Sequence, residues 1–156
     1  MEREQTMVNV REATIEDQEQ VFDLLRQLMT SATEESPINQ PSAVETFRQV
    51  INEEKGTVLV AEEDGKMLGL VTLSYPVAIR CGGIYSCIEE FIVTEQARGK
   101  GVGSKLLEAT IKKATEKGSY ELQVNRPSEL GYPIYLRQGW KDLGKHLNYY
   151  PGRQLG

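Results

Sequence analysis

The chain has 156 residues, 39% of them apolar and 26% charged, with 18 Lys and Arg against 23 Asp and Glu for a formal charge of −5. That length suits one domain around one core, and the acidic balance lacks the basic stripe that binding to nucleic-acid phosphates requires. No apolar run approaches the roughly 18 residues of a membrane span, and the opening Met1-Glu2-Arg3-Glu4-Gln5 has no apolar stretch of signal-peptide type. Cys81 and Cys87 lack the paired spacing and the His partners of a zinc site. The expectation is a cytoplasmic protein with reduced thiols, no metal, and neither nucleic acid nor membrane as partner.

In chain order, Met7 offers an alternative start, so residues 1–7 are expected as an N-terminal extension and residues 8–156 as the domain. Val8-Asn9-Val10-Arg11 alternates as a first strand, and Thr14 followed by Asp17 makes an approximate capping box for a helix with Val21, Leu24, Leu25 and Leu28 on one face. A polar stretch from Thr30, carrying Pro37 and Pro41, reads as a loop, and Ser42 is the expected cap of a second helix to about Asn52. Thr57–Ala61, the turn Asp64-Gly65 and Met67–Ser74 form an antiparallel hairpin pattern.

Cys81-Gly82-Gly83 offers another turn, and Ile84–Val93 reads as one longer strand. Val102, Leu106, Leu107, Ile111 and Ala114 then form a helical stripe ending at Gly118, a suitable C-terminal cap. Tyr120–Val124 alternates as a strand. A short helix from about Ser128 to Arg137 follows, with Pro133 implying a kink or a late start, and Trp140 opens a strand-like tail. The predicted class is α/β (α+β), in two or three layers around a mostly antiparallel sheet flanked by helices.

Between a strand and an amphipathic helix stands Arg98-Gly99-Lys100-Gly101-Val102-Gly103-Ser104. Such a turn can present several backbone N–H groups and a helix N-terminus to an anion, while its glycines clear the approach to the backbone. An ordinary flexible turn would not need three alternating glycines leading into a well-formed helix. A Walker loop is excluded because the order is Gly103-Ser104-Lys105. A dinucleotide fingerprint is excluded because the spacing is Gly-x-Gly-x-Gly, and Val124-Asn125 stands where the ribose-binding acid belongs.

The pattern Arg98-x-x-Gly101-x-Gly103, with Glu89-Glu90-Phe91-Ile92-Val93 before it and Tyr135-x-x-x-Gly139-Trp140 after it, resembles the GNAT superfamily of N-acetyltransferases. The likeness in element order runs from Val8 onward. It implies a single domain with a splayed strand pair at the cofactor site and acetyl-CoA as cosubstrate. The main chain of Ile92 and Val93 would meet the pantetheine arm, and Arg98, Gly99, Lys100, Gly101, Val102, Gly103 and Ser104 would hold the pyrophosphate. The family often has Asn seven residues and Ala four residues before the late Tyr; Ser128 and Gly131 stand there instead, and Ser128 can still bond the cofactor.

Acetyl transfer to an amine needs a neutral nucleophile, a stabilised oxyanion and a proton for the leaving thiolate. The resemblance places Tyr135 as general acid and a main-chain N–H near Ile92 or Val93 at the oxyanion of a tetrahedral intermediate. Glu89 and Glu90 lie in a strand of Ile, Phe and Val, where a carboxylate is costly unless it faces water or a polar cleft. One is expected as general base, with Glu89 preferred. Alternation sends them to opposite faces, an assignment that a β-bulge of the family's kind would change. His146, the single histidine, reads as a solvated position.

The expected activity is acetyl transfer from acetyl-CoA to an amine of a small molecule, a peptide N-terminus or a lysine. A catalytically silent acyl-CoA sensor and a transferase for another acyl-CoA are the alternatives, and a homodimer is left open. Acceptor identity is expected in the Met29–Ser42 loop, the Tyr75–Gly83 connection and the tail after Trp140.

Overall fold

Residues 7–52 and 55–152 are described by the computed structural model of the protein; of the expected extension, residues 1–6 lie outside the described residues. Strand β1 (Asn9–Glu12) is tied to its surroundings by Arg11, whose guanidinium reaches Asp17 and Glu62, each at 2.8 Å. The Thr14 N–H donates to Asp17 Oδ2 at 2.7 Å, the reciprocal arm of a capping box. A 3-10 turn over Ile15–Asp17 then leads into α1 (Gln18–Leu28), which buries Val21, Phe22, Leu24 and Leu25. Helix α2 (Pro41–Ile51) has Gln40, not Ser42, at its N-cap. Proline suits the first helical position because its fixed φ is helical and its missing N–H would have no partner there.

Strands β2 (Gly56–Glu63) and β3 (Lys66–Ser74) pair antiparallel around Asp64 and Gly65, at φ of 52° and 76°. Two positive φ values in a two-residue loop match the right-handed twist of a hairpin. The strand expected over Ile84–Val93 is interrupted at Tyr85. Its first part, β5 (Gly83–Ile84), pairs with β4 (Val77–Ala78) in a separate ribbon, and its second, β6 (Ser86–Val93), joins the main sheet. With β7 (Leu122–Val124), that sheet runs β1-β2-β3-β6-β7, antiparallel except for the β6–β7 pair.

Helices α1 and α2 cover one face of the sheet over Val58, Val60 and Leu70. On the other face, α3 (Val102–Glu116) and α4 (Tyr132–Arg137) pack over Leu59, Ala61, Val71 and Leu73. Alternate β2 residues thus feed two cores, making three layers. Leu70, Leu73, Leu106 and Leu107 are fully buried, each contributing roughly 1.5–3 kcal/mol. Helix α4 starts late, with Pro133 in its first turn. The residues from Trp140 to Tyr150 form no strand; the Trp140 N–H donates to the Tyr135 carbonyl at 3.2 Å, and the two rings meet edge-on at 4.9 Å.

Candidate functional site

Strand β6 changes face partway along. Opposite it, Leu73 pairs with Ile88 but Thr72 pairs with Glu90, so Glu89 is an extra residue in a bulge. Strict alternation would put Ile88 and Ile92 in one core; instead Ile88 packs on the α3–α4 side and Ile92 on the α1–α2 side. The same insertion overturns the expectation that Glu89 and Glu90 face apart. Ser74 Oγ donates to Glu89 Oε2 at 2.5 Å, the Thr72 hydroxyl donates to Glu90 Oε2, and Thr72 and Ser74 share one face of β3. Both carboxylates line a cavity of about 400 Å³ roofed by Phe22, Leu25 and Met29 near α1 and by Ile38, Phe47 and Val50 near α2. Glu89 is exposed at this cavity while Glu90 is half-buried. Burial, helped by the charge of Glu89, raises the Glu90 carboxyl to about 7.

Beside β6, between the end of α1, the glycine loop and α4, lies a cleft of about 520 Å³. Ile92, Val93, Arg98, Gly99, Gly101, Val102, Gly103, Ser104 and Ser128 line it, whereas Lys100 is exposed and stands outside its lining. Gly99 and Gly101 sit at φ of 80° and 78°, a region that favours glycine, and beyond their immediate chain neighbours nothing described lies within 4 Å of where a Cβ would be. Gly103 differs: a Cβ there would come within 2.9 Å of Ile134 and 3.4 Å of Phe91, so this glycine lets α3 pack against α4 and β6. The first α-helical bond at this end runs from the Lys105 N–H to the Gly101 carbonyl at 3.1 Å. The amides of Val102, Gly103 and Ser104 therefore precede the helical ladder and are available to an anion.

Pairing of β6 with β7 ends at Ile88 and Val124, so β6 from Glu89 to Val93 has no β7 partner. This is the splayed pair. Along it, alternate backbone N–H and C=O groups point into the gap. Tyr135 packs edge-on against Phe91 at 5.7 Å on the α3–α4 side, is only 3% exposed, and lines a third cavity of about 430 Å³ between β7 and the tail. Burial, with a smaller push from Cys87, raises its phenol above the ordinary tyrosine value, so the group is a neutral donor at pH 7. The buried Cys87 thiol, pushed up to about 11, accepts from Asn125 Nδ2 at 3.8 Å. Exposed His146 borders the third cavity, away from the carboxylates.

The structure thus gathers the loop at one cleft, the two carboxylates at one cavity, and Tyr135 against the strand between them. Ser128 lines the cleft, but its hydroxyl accepts the Gly131 N–H at 3.0 Å and so shapes the entry to α4. Sequence reading did not single out Leu130, Ile134 and Arg137 as cleft residues, nor Gln27 and Leu28 from the end of α1. It also passed over Thr72 and Ser74, whose hydroxyls alternate with Val71 and Leu73 along β3, a signal that was present. Among the described residues no helix is long and apolar enough to cross a membrane, and no group of three or more His, Cys, Asp and Glu could hold a metal ion.

Comparison with known proteins agrees with this architecture. The acetyltransferase (GNAT) family model matches residues 19–140. Aminoalkylphosphonate N-acetyltransferase of Salmonella typhimurium is 24% identical over 134 residues, covering 85% of this chain and 84% of that protein. Among solved structures, a transcriptional regulator from Bacillus halodurans superposes with a TM-score of 0.80 at 23% identity, covering 92% of this chain and 99% of that one. A predicted acetyltransferase with acetyl-CoA from Clostridium acetobutylicum gives 0.78 at 20% identity, covering 92% and 96%.

Proposed function

The chain belongs to the acetyltransferase (GNAT) family, and on that premise we propose that it transfers acetyl from acetyl-CoA to a primary amine bound in the α1–α2 cavity, with Glu90 as general base and Tyr135 as general acid. The observation that carries this reading is the bulge at Glu89. It turns Glu90 into a cavity on one side of a strand whose other side meets the glycine-loop cleft and whose edge is open.

The cleft suits coenzyme A on its own features. Two open glycines, three helix-end amides and the guanidinium-bearing residues Arg98 and Arg137 converge where a pyrophosphate would lie. The backbone groups of residues 89–93 that face away from β3 supply partners for an amide-bearing arm. When bound, acetyl-CoA supplies the thioester that is attacked.

The acceptor arrives as an ammonium of pKa roughly 10 and must lose a proton first. Glu90, raised to about 7, is better matched to that task than an ordinary carboxylate, and the Thr72 hydroxyl orients it. This replaces the preference for Glu89. The nitrogen then bonds the carbonyl carbon and the carbon–sulfur bond breaks. Tyr135 gives its proton to the departing sulfur and is reprotonated. Going from ammonium to amide the nitrogen loses two protons; one ends on the coenzyme A thiol and the other in solvent. The relative's name implies an anionic aminoalkylphosphonate as acceptor, but among the described residues no Lys, Arg or His lines this cavity to receive the phosphonate.

The test is an acceptor screen that follows thiol release from acetyl-CoA in the wild type and in Glu90→Gln. Turnover of at least one amine, lost in the variant while acetyl-CoA affinity persists, is expected. Tight acetyl-CoA binding without turnover on any amine would replace this reading with that of a sensor.

A further inference from the structure

Two carboxylates in one cavity are more than a single proton transfer requires. Glu90 is half-buried and held by Thr72; Glu89 is exposed and held by Ser74. Among the described residues the cavity lining holds no cation to balance them, and its remaining walls are chiefly apolar, with Phe22, Met29, Ile38 and Phe47 among them. A carboxylate at the rim of an apolar cavity lowers the free energy of a cation bound there and raises that of an anion.

The spacing is set by β3. Thr72 and Ser74 are two residues apart on one face of the strand, so the carboxylate oxygens bonded to them are spaced by roughly 7 Å, twice the rise of a strand residue. An aliphatic chain of about four or five carbons spans that gap with one nitrogen at each end. From the paired carboxylates, their spacing and the apolar walls, we infer that the acceptor is an aliphatic diamine. One nitrogen is acetylated beside Glu90 while the other remains an ammonium against Glu89. The inference rests on the proposed acetyltransferase reading and adds the acceptor class. Glu89 is thereby a specificity-determining residue, and Phe22 and Phe47, in edge-on contact at 5.9 Å, form part of the wall along which the methylene chain lies.

The test compares kcat/KM for 1,5-diaminopentane, 1,4-diaminobutane, 1,2-diaminoethane, 1-aminopentane and 3-aminopropylphosphonate. Binding of 1,5-diaminopentane without acetyl-CoA is measured alongside by calorimetry. The four- and five-carbon diamines should exceed the monoamine by about five- to tenfold, the scale of one partly exposed ion pair, and should exceed the two-carbon diamine as well. Glu89→Gln should bring the diamine-to-monoamine ratio close to one, chiefly through KM, and weaken calorimetric binding by a similar factor; Glu89→Asp should restore part of both. Equal use of monoamine and diamine, a preference for the phosphonate, or a ratio unchanged in Glu89→Gln would overturn the diamine assignment and leave acetyl transfer standing. Absence of thiol release with every amine would remove both.

Discussion

On the α3–α4 side of β6 the protein offers main chain to a ligand: glycines at positive φ, amides ahead of a helix, a strand edge without a partner. On the α1–α2 side it offers side chains, two carboxylates oriented by two hydroxyls within an apolar enclosure. A binding surface of main chain recognises what is common to many ligands. One made of side chains distinguishes among them, and its chemistry changes with each substitution. The division matches a cosubstrate of fixed structure on one side and a chosen acceptor on the other.

The sharpest way to break this division is at Glu90. Glu90→Gln keeps the size and removes the base, so turnover should fall by about 10²–10³, within the usual range for general base catalysis, with acetyl-CoA affinity unchanged in a binding titration. In the wild type, kcat should rise with pH through about 7 as Glu90 ionises; a profile flat across that region would assign the proton to another group. Tyr135→Phe should lower turnover by about 10²-fold, the low end because a thiolate leaves readily. Since the Tyr135 ring touches Phe91 and Trp140, the comparison counts only if melting temperature and cofactor affinity match wild type.

A smaller effect belongs to the main-chain side. Gly101→Val forces a β-branched residue to φ 78°, a cost of roughly 1–2 kcal/mol in the left-handed region, and should weaken acetyl-CoA binding by about tenfold while sparing kcat at saturation. Loss of kcat with unchanged affinity would show that the loop serves the acceptor side too. The last effect is on stability. Glu90 has its carboxyl raised from an ordinary 4.5 to about 7, so between those values the folded chain holds the extra proton. Its contribution must therefore fall as pH rises from about 4.5 to 7 and level off above. Glu90→Gln should gain relative to wild type by about 3 kcal/mol between pH 4.5 and 8, read from denaturant melts; a difference independent of pH would contradict the raised value.

The two sides also differ in how far they can be read from a sequence. Helical stripes and the Asp64-Gly65 turn are local patterns, and the structure forms the helix and the hairpin where they predict; the glycine loop, also a local pattern, lines a cleft. Even there the reason differed at Gly103, which serves packing against Ile134. The acceptor side depends on one inserted residue in β6, and a bulge is a property of pairing between strands; Glu89-Glu90 alone carries no sign of it. The break at Tyr85 is similar, because Gly83 and Ile84 leave the main strand only by pairing with Val77 and Ala78. Nor does the strand-like pattern after Trp140 become a strand among the described residues; an edge-on aromatic contact fixes its start instead.

The bulge also makes β6 respond differently to two kinds of genetic change. Replacing Glu89 alters one side chain. Deleting that codon would restore an unbroken pleat in which Ile88 stays opposite Leu73 and Glu90 opposite Thr72, so the flanking side chains keep their faces. What would be lost is the carboxylate held by Ser74 and the local bend and twist that a bulge gives its strand. Position 89 should therefore tolerate both replacement and removal for folding, and removal should be felt first in the shape of the strand beside the carboxylate cavity.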